Sequence, residues 1–146
     1  MSSRLLVHHQ SHGRGNITIG TWNTRTLRAA EKLQELAHEM DRNRWNILGL
    51  CEVRWKNFGE TTTEEGQKVF FSGKEDKHEH GVGFLLHKDI ENSVMGCHPV
   101  SRMLITIRLR AVPFNITAVQ VYIPTSDYDD NEIEEFYDQI QNVYCH

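Results

Sequence analysis

Hydrophobic and polar residues alternate along residues 16–22, a segment rich in β-branched side chains. This alternation is typical of a strand with one buried face. From Leu27 to Met40 the apolar residues instead recur every three or four positions, with Thr26 as the predicted N-cap and Asn43 as the predicted end. That spacing predicts an amphipathic helix of about four turns.

Most of the remaining chain consists of short apolar or alternating segments, which predict strands. They lie at residues 45–51, 68–72 and 81–87, and the polar residues 53–67 between the first two are predicted to form a loop. Residues 102–110 and 114–122 also alternate and are separated by about three residues, which predicts a hairpin. Asn131 is predicted to cap a second helix whose apolar face carries Ile133, Phe136, Tyr137 and Ile140.

These elements predict an α+β fold, with a largely antiparallel sheet and a helix toward each end of the chain. A chain of 146 residues suffices for one core, which we expect in residues 16–146, after an unstructured polar leader at residues 1–15. The leader histidines His8, His9 and His12 could bind a metal, although solvation is the simpler interpretation in a flexible terminus. No apolar run approaches the roughly 18 residues of a membrane span.

Charge is distributed unevenly along the chain, which has a net charge of −4. Residues 1–54 hold 8 Lys and Arg against 5 Asp and Glu, whereas residues 55–146 hold 8 against 15. This balance argues against a protein that binds nucleic acid by charge alone, so a phosphate substrate would need a mediating cation. The three cysteines form no CxxC pair, which favours a reducing, intracellular compartment.

Polar side chains stand at the ends of three predicted strands. Asn23 could orient a metal-bound water or a phosphate oxygen, or could simply form a turn. Glu52 ends a buried strand, where its carboxylate needs a compensating partner. It could bind a magnesium ion, or it could form an ion pair with Arg54 or be a surface charge at the strand end, and the two interpretations are equally open. Tyr122 could donate to a phosphate, although strand tyrosines mostly pack. Together the three residues favour a site, because sites collect at strand-end loops.

The sequence around these strand ends resembles a known nuclease superfamily. Residues 19–27, IGTWNTRTL, and 47–55, ILGLCEVRW, resemble the opening of the endonuclease/exonuclease/phosphatase superfamily. Residues 81–88, 102–108 and 113–125 resemble the apurinic-type endonuclease domain of RTE/BovB-like non-LTR retrotransposons and its host copies, the craniofacial development protein 2-like group. The resemblance covers about residues 16–145. It implies the N-terminal part of the four-layered α/β sandwich of the DNase I-like fold.

The same resemblance implies hydrolysis of DNA phosphodiesters that depends on Mg²⁺ or Mn²⁺. Asn23 matches the asparagine that contacts the scissile phosphate, Glu52 the glutamate that binds the metal, and Tyr122 the tyrosine that supports the phosphate in the transition state. Arg102 lies where relatives also carry a basic residue, which implies a phosphate-binding role.

Two later motifs of that superfamily, Gly-Asp-x-Asn and Ser-Asp-His, do not occur in this sequence. They supply the aspartate that activates water and the histidine that stabilises developing charge, so we expect a truncated endonuclease that is weak or inactive. The alternative is a non-catalytic, decayed or domesticated fragment that binds a partner protein through an exposed sheet face. A phospholipid or nucleotide phosphoesterase is less favoured by the retrotransposon-like segments. DNA as the partner implies a nuclear location.

Overall fold

The computed structural model describes residues 5–12, 15–24, 30–73, 81–122 and 130–144. Within these ranges the chain forms two α-helices, nine strands and a short 3₁₀ turn at Glu91–Ser93. The helices are α1 Ala30–Asn43 and α2 Asp130–Tyr144. The strands are β1 Leu5–His12, β2 Gly15–Asn23, β3 Ile47–Cys51, β4 Phe58–Thr62, β5 Lys68–Ser72, β6 Val82–Leu86, β7 Val94–Ser101, β8 Leu104–Leu109 and β9 Ile116–Val121.

Six strands form the larger sheet, in the order β1-β2-β3-β6-β5-β4. Neighbouring strands are antiparallel except for β2 and β3, which run parallel. The parallel pair is possible because α1 connects the two strands and carries the chain back to the start of the sheet. Strands β3 and β6 lie at the centre and are buried along their whole length, as expected for strands covered on both faces.

The remaining strands form a smaller antiparallel sheet, β7-β8-β9, which packs face to face on the larger one. Its buried residues Ile105 and Ile107 meet Ile47 and Phe84 of the larger sheet. On the opposite face of the larger sheet, α1 packs its apolar side, including Met40.

Helix α2 packs against the smaller sheet through Phe136, which contacts Met103 beside the first residue of β8. The layers therefore follow in the order α1, larger sheet, smaller sheet, α2. This confirms the predicted α+β class and is consistent with part of a sandwich fold.

Most of the predicted elements are confirmed. Strands β2, β3, β5 and β6, the β8–β9 hairpin and the end of α1 at Asn43 all occur where the sequence pattern placed them. The predicted N-cap Thr26 lies outside the described residues. On α2 the prediction was wrong for Asn131, which lies inside the helix rather than capping it, and for Tyr137, which is 62% exposed, whereas its neighbour Phe136 is buried.

The predicted leader and loop also need correction. Strand β1 forms within the predicted unstructured leader, because its backbone pairs with β2 along its full length. Strand β4 lies inside the predicted loop; four of its five residues are exposed, so it has no buried alternating face that could reveal it. Strand β7 was not predicted either. The domain boundary at residue 16 stays a prediction, and the side chains of the leader histidines lie outside the described part of the structure.

Candidate functional site

The carboxyl ends of the parallel strands β2 and β3 lie side by side at one edge of the larger sheet. Asn23 is in register with Cys51, the residue before Glu52, so Asn23 and Glu52 leave the sheet at the same edge. Thr24 strengthens this junction: its backbone N–H donates to the Cys51 carbonyl at 3.1 Å, and its hydroxyl lies 2.9 Å from that oxygen and 3.1 Å from the Glu52 carbonyl oxygen. Two of the predicted site residues, Asn23 and Glu52, therefore lie at the carboxyl ends of neighbouring strands.

Strand β9 of the smaller sheet ends above the same edge. The buried Gln120 side chain donates from Nε2 to Cys51 Sγ at 2.9 Å. Its Oε1 lies above Gly49 of β3, where an added Cβ would come within 1.9 Å of that oxygen. Gln120 therefore packs directly on the β3 backbone and fixes the end of β9 against the end of β3. Tyr122, two residues later, is positioned beside Glu52.

Glu52 and Tyr122 interact directly across the two sheets. The Tyr122 phenol lies close enough to the Glu52 carboxylate for the two groups to interact electrostatically. Burial, followed by the charge of Glu52, raises the pKa of Tyr122 to about 12. The phenol is consequently protonated throughout the physiological pH range, and it can act as a hydrogen-bond donor but not as a base.

Arg54 also lies at the Glu52 carboxylate. Its Nη2 atom is 3.6 Å from Glu52 Oε1, so the ion pair that the sequence left open is present. Glu52 and Arg54 both have left-handed backbone conformations, with φ of 54° and 61°. Non-glycine residues adopt this region rarely and keep it only where the surrounding structure imposes it, which is a recurrent feature of functional sites.

The turn that carries Arg102 borders the site. Tyr122 donates its backbone N–H to the Met103 carbonyl at 3.0 Å, and the Ser72 hydroxyl donates to the Ser101 carbonyl at 2.7 Å. The residues on both sides of Arg102 are therefore tied to the strand ends. Its proposed phosphate-binding role stays a prediction.

The structure brings Glu52, Tyr122 and Arg54 together and places Asn23 at the neighbouring strand end. Sequence analysis missed Thr24 and Gln120, which hold these elements in place. A signal for Gln120 was available, because it follows Ile116 and Ala118 at two-residue spacing and is the polar member of an otherwise apolar inward face. Thr24 offered no comparable signal, since its two acceptors lie 27 and 28 residues further along the chain.

Glu52 is the carboxylate of this site that could hold a metal. Its side chain is only 15% exposed, and the part of the chain that is described contains no group of three or more His, Cys, Asp and Glu residues arranged to hold an ion. A closed cage of protein ligands is therefore not formed by these residues. A single carboxylate fits Mg²⁺, which commonly keeps several waters and binds substrate phosphate beside one or two carboxylates.

The neighbouring thiol of Cys51 is buried. Burial raises its pKa to about 11, although the hydrogen bond with Gln120 lowers it. Among the described helices, neither is long and apolar enough to cross a membrane.

The chain is similar to craniofacial development protein 2 from two mammals. It is 32% identical over 125 residues to the protein of Tragulus javanicus, and equally so to that of Bos taurus. The match covers 86% of this chain but 21% of either relative, so the chain spans about a fifth of their length. No family model matches the chain. The resemblance to the craniofacial development protein 2-like group is thereby confirmed.

Proposed function

We propose that this chain carries the metal- and phosphate-binding part of an endonuclease site of the endonuclease/exonuclease/phosphatase type, with DNA as the substrate and a retrotransposon ancestry. The observation that carries the proposal is the convergence of Glu52 and Tyr122, which follow strands β3 and β9 of different sheets and are brought together where Gln120 Nε2 donates to Cys51 Sγ at 2.9 Å. The similarity to craniofacial development protein 2 and the sequence motifs at both strand ends support it.

The donor set at the strand ends suits a phosphodiester. Glu52 would bind Mg²⁺ or Mn²⁺, which when bound supplies positive charge to neutralise the phosphate. Tyr122 is a fixed neutral donor, and the Asn23 carboxamide offers a second donor from the adjacent strand. Such preorganised donors stabilise charge that develops on phosphate oxygens. Arg102 would add a positive charge from the bordering turn.

The acidic balance of the chain agrees with a cation-mediated mode of DNA binding. Residues 55–146 hold 15 acidic against 8 basic residues, so general electrostatic attraction to DNA is weak. A metal at Glu52 would supply local positive charge where the phosphate lies. DNA binding should then depend on the divalent cation more strongly than on the surface charge of the protein.

Nicking of supercoiled plasmid DNA tests the proposal. We expect slow nicking by the purified chain that requires Mg²⁺, and at least about tenfold slower nicking by Glu52→Gln, because loss even of an outer-shell partner of a metal ligand typically costs about 10- to 100-fold. Glu39→Gln is the matched control, because Glu39 pairs with Arg42 on the exposed side of α1.

Equal nicking by the wild type and Glu52→Gln would contradict the endonuclease proposal. That outcome would favour the alternative, a non-catalytic fragment that binds a partner protein. Large apolar side chains that a partner could cover are present: Phe58 is 70% exposed and Phe114 is 79% exposed.

A further inference from the structure

The Glu52 carboxylate faces a positive charge supplied by the chain itself. Arg54 Nη2 lies 3.6 Å from Glu52 Oε1, on the carboxylate that also interacts with Tyr122. Because the Glu52 side chain is only 15% exposed, solvent alone compensates its charge poorly, and the guanidinium contributes to that compensation.

The backbone places these two side chains next to each other. Glu52 and Arg54 both adopt left-handed conformations, whereas Val53 between them is buried and donates its N–H to the Gly81 carbonyl at 3.3 Å. The Glu52 carbonyl oxygen lies 3.1 Å from the Thr24 hydroxyl. The backbone conformation at the end of β3 therefore brings the guanidinium close to the carboxylate.

We infer that Arg54 occupies the cation position beside Glu52 when no metal is bound, and that it competes with a divalent cation for the same carboxylate. The inference rests on the proposed function, because it concerns the regulation of that site. Magnesium approaches a carboxylate oxygen to about 2.0–2.1 Å. A guanidinium held 3.6 Å from the same oxygen would then lie close to a doubly charged ion and be repelled by it.

The geometry allows this exchange. The contact of 3.6 Å is longer than the roughly 2.7–2.9 Å of a charge-assisted hydrogen bond, so the pair of Arg54 with Glu52 is mainly electrostatic. The Arg54 side chain is 43% exposed, whereas the carboxylate is largely enclosed. Metal binding thus displaces Arg54 and leaves Glu52 in place.

Calorimetric titration of the full chain with Mg²⁺ alone tests the competition. Arg54→Gln should bind Mg²⁺ about two- to fivefold more tightly than the wild type, as expected for removal of a partly exposed ion pair that competes with the metal. Arg42→Gln is the matched control: it removes the same charge from an exposed pair with Glu39 at 3.0 Å and should leave the affinity unchanged. Glu52→Gln should abolish the binding.

A second variant at the same position distinguishes loss of the competing charge from misfolding. Arg54→Gly also removes the guanidinium and suits the backbone φ of 61°, so it should fold and should likewise bind Mg²⁺ more tightly. If both Arg54 variants bind no more tightly than Arg42→Gln while Glu52→Gln still abolishes binding, the competition is wrong and the proposed metal site stands. Binding that does not depend on Glu52 would overturn the proposed function itself.

Discussion

The phenol of Tyr122 lies between the hydrophobic core and the Glu52 carboxylate. Its pKa is raised from 10 to about 12, mainly because burial disfavours the charged phenolate and also because Glu52 is negative. Between pH 10 and 12 the folded chain therefore keeps a proton that the unfolded chain releases. The stabilising contribution is complete below pH 10 and is lost as the pH rises through 12.

This linkage predicts a pH-dependent loss of stability that depends on Tyr122. The free energy of unfolding, measured by urea denaturation, should fall by about 1–2 kcal/mol more between pH 10 and 12 in the wild type than in Tyr122→Phe. Tyr137→Phe, which alters a phenol that is 62% exposed, should behave like the wild type. A Tyr122→Phe chain with the same pH dependence as the wild type would show that the phenol is not held as described.

The sequence predicted which residues lie at the candidate site better than it predicted the residues that contact them. Asn23, Glu52 and Tyr122 are polar residues that directly follow or end apolar strands, and the hydrophobic pattern locates strand ends well. The contact between Gln120 and Cys51 joins residues 69 positions apart, and the pattern along the chain holds no information about which strands face each other. The left-handed backbone of Glu52 and Arg54 was equally hidden, since neither residue type favours it.

At the scale of elements, the contact between strands β3 and β9 determines whether the two halves of the site meet. Gln120 of β9 lies on Gly49 of β3, where a Cβ would come within 1.9 Å of Gln120 Oε1. The absence of a side chain at Gly49 therefore allows the close approach of the smaller sheet, and the Gln120 carboxamide fills the space that this leaves.

A double-mutant cycle tests this contact. Gly49→Ala should lower the free energy of unfolding by about 1–3 kcal/mol, because the added methyl group overpacks the space between the sheets. In the Gln120→Ala background the same change should cost at least about 1 kcal/mol less, since the clashing carboxamide is gone. Urea denaturation of the four chains gives the coupling.

The control for that cycle is Gly83→Ala. A Cβ at Gly83 would lie 2.6 Å from the Phe70 carbonyl oxygen, a backbone clash that Gln120→Ala cannot relieve. Its cost should therefore add to that of Gln120→Ala. Additive costs for Gly49→Ala as well would mean that Gln120 and Gly49 do not pack as described.

Elements with a buried face were predictable, whereas those made by backbone pairing alone were not. Strand β6 is apolar along its whole length and was placed correctly. Strand β4 presents Phe58, Glu60 and two threonines to solvent, and it is a strand because β5 pairs with it. Strand β1 follows the same principle on the other edge of the sheet, through its pairing with β2.

At the scale of the whole molecule, the stacking of the two sheets holds the strand ends together. Phe84, which is 2% exposed, lies in the core between the sheets with Ile47 and Ile105. The free energy of unfolding of small domains is typically only about 5–15 kcal/mol, so the loss of one large buried side chain at this interface removes a substantial part of it.

Phe84→Ala should therefore destabilise the chain strongly. We expect a loss of about 3–5 kcal/mol in the free energy of unfolding, because the substitution leaves a cavity between the sheets. Phe114→Ala provides the comparison: Phe114 is 79% exposed, and its removal should change stability by less than about 0.5 kcal/mol. Similar, small effects of both substitutions in urea denaturation would contradict the stacked arrangement.

The central claim is that the ends of β2, β3 and β9 form one cation site, and paramagnetic broadening by Mn²⁺ tests it most directly. In the ¹⁵N-labelled chain, substoichiometric Mn²⁺ should selectively broaden the amide signals of Asn23, Thr24, Glu52 and Tyr122, and Glu52→Gln should remove that broadening. Broadening centred elsewhere, such as the exposed pair of His38 and Glu65 at 2.7 Å, or an unchanged pattern in Glu52→Gln, would contradict the claim.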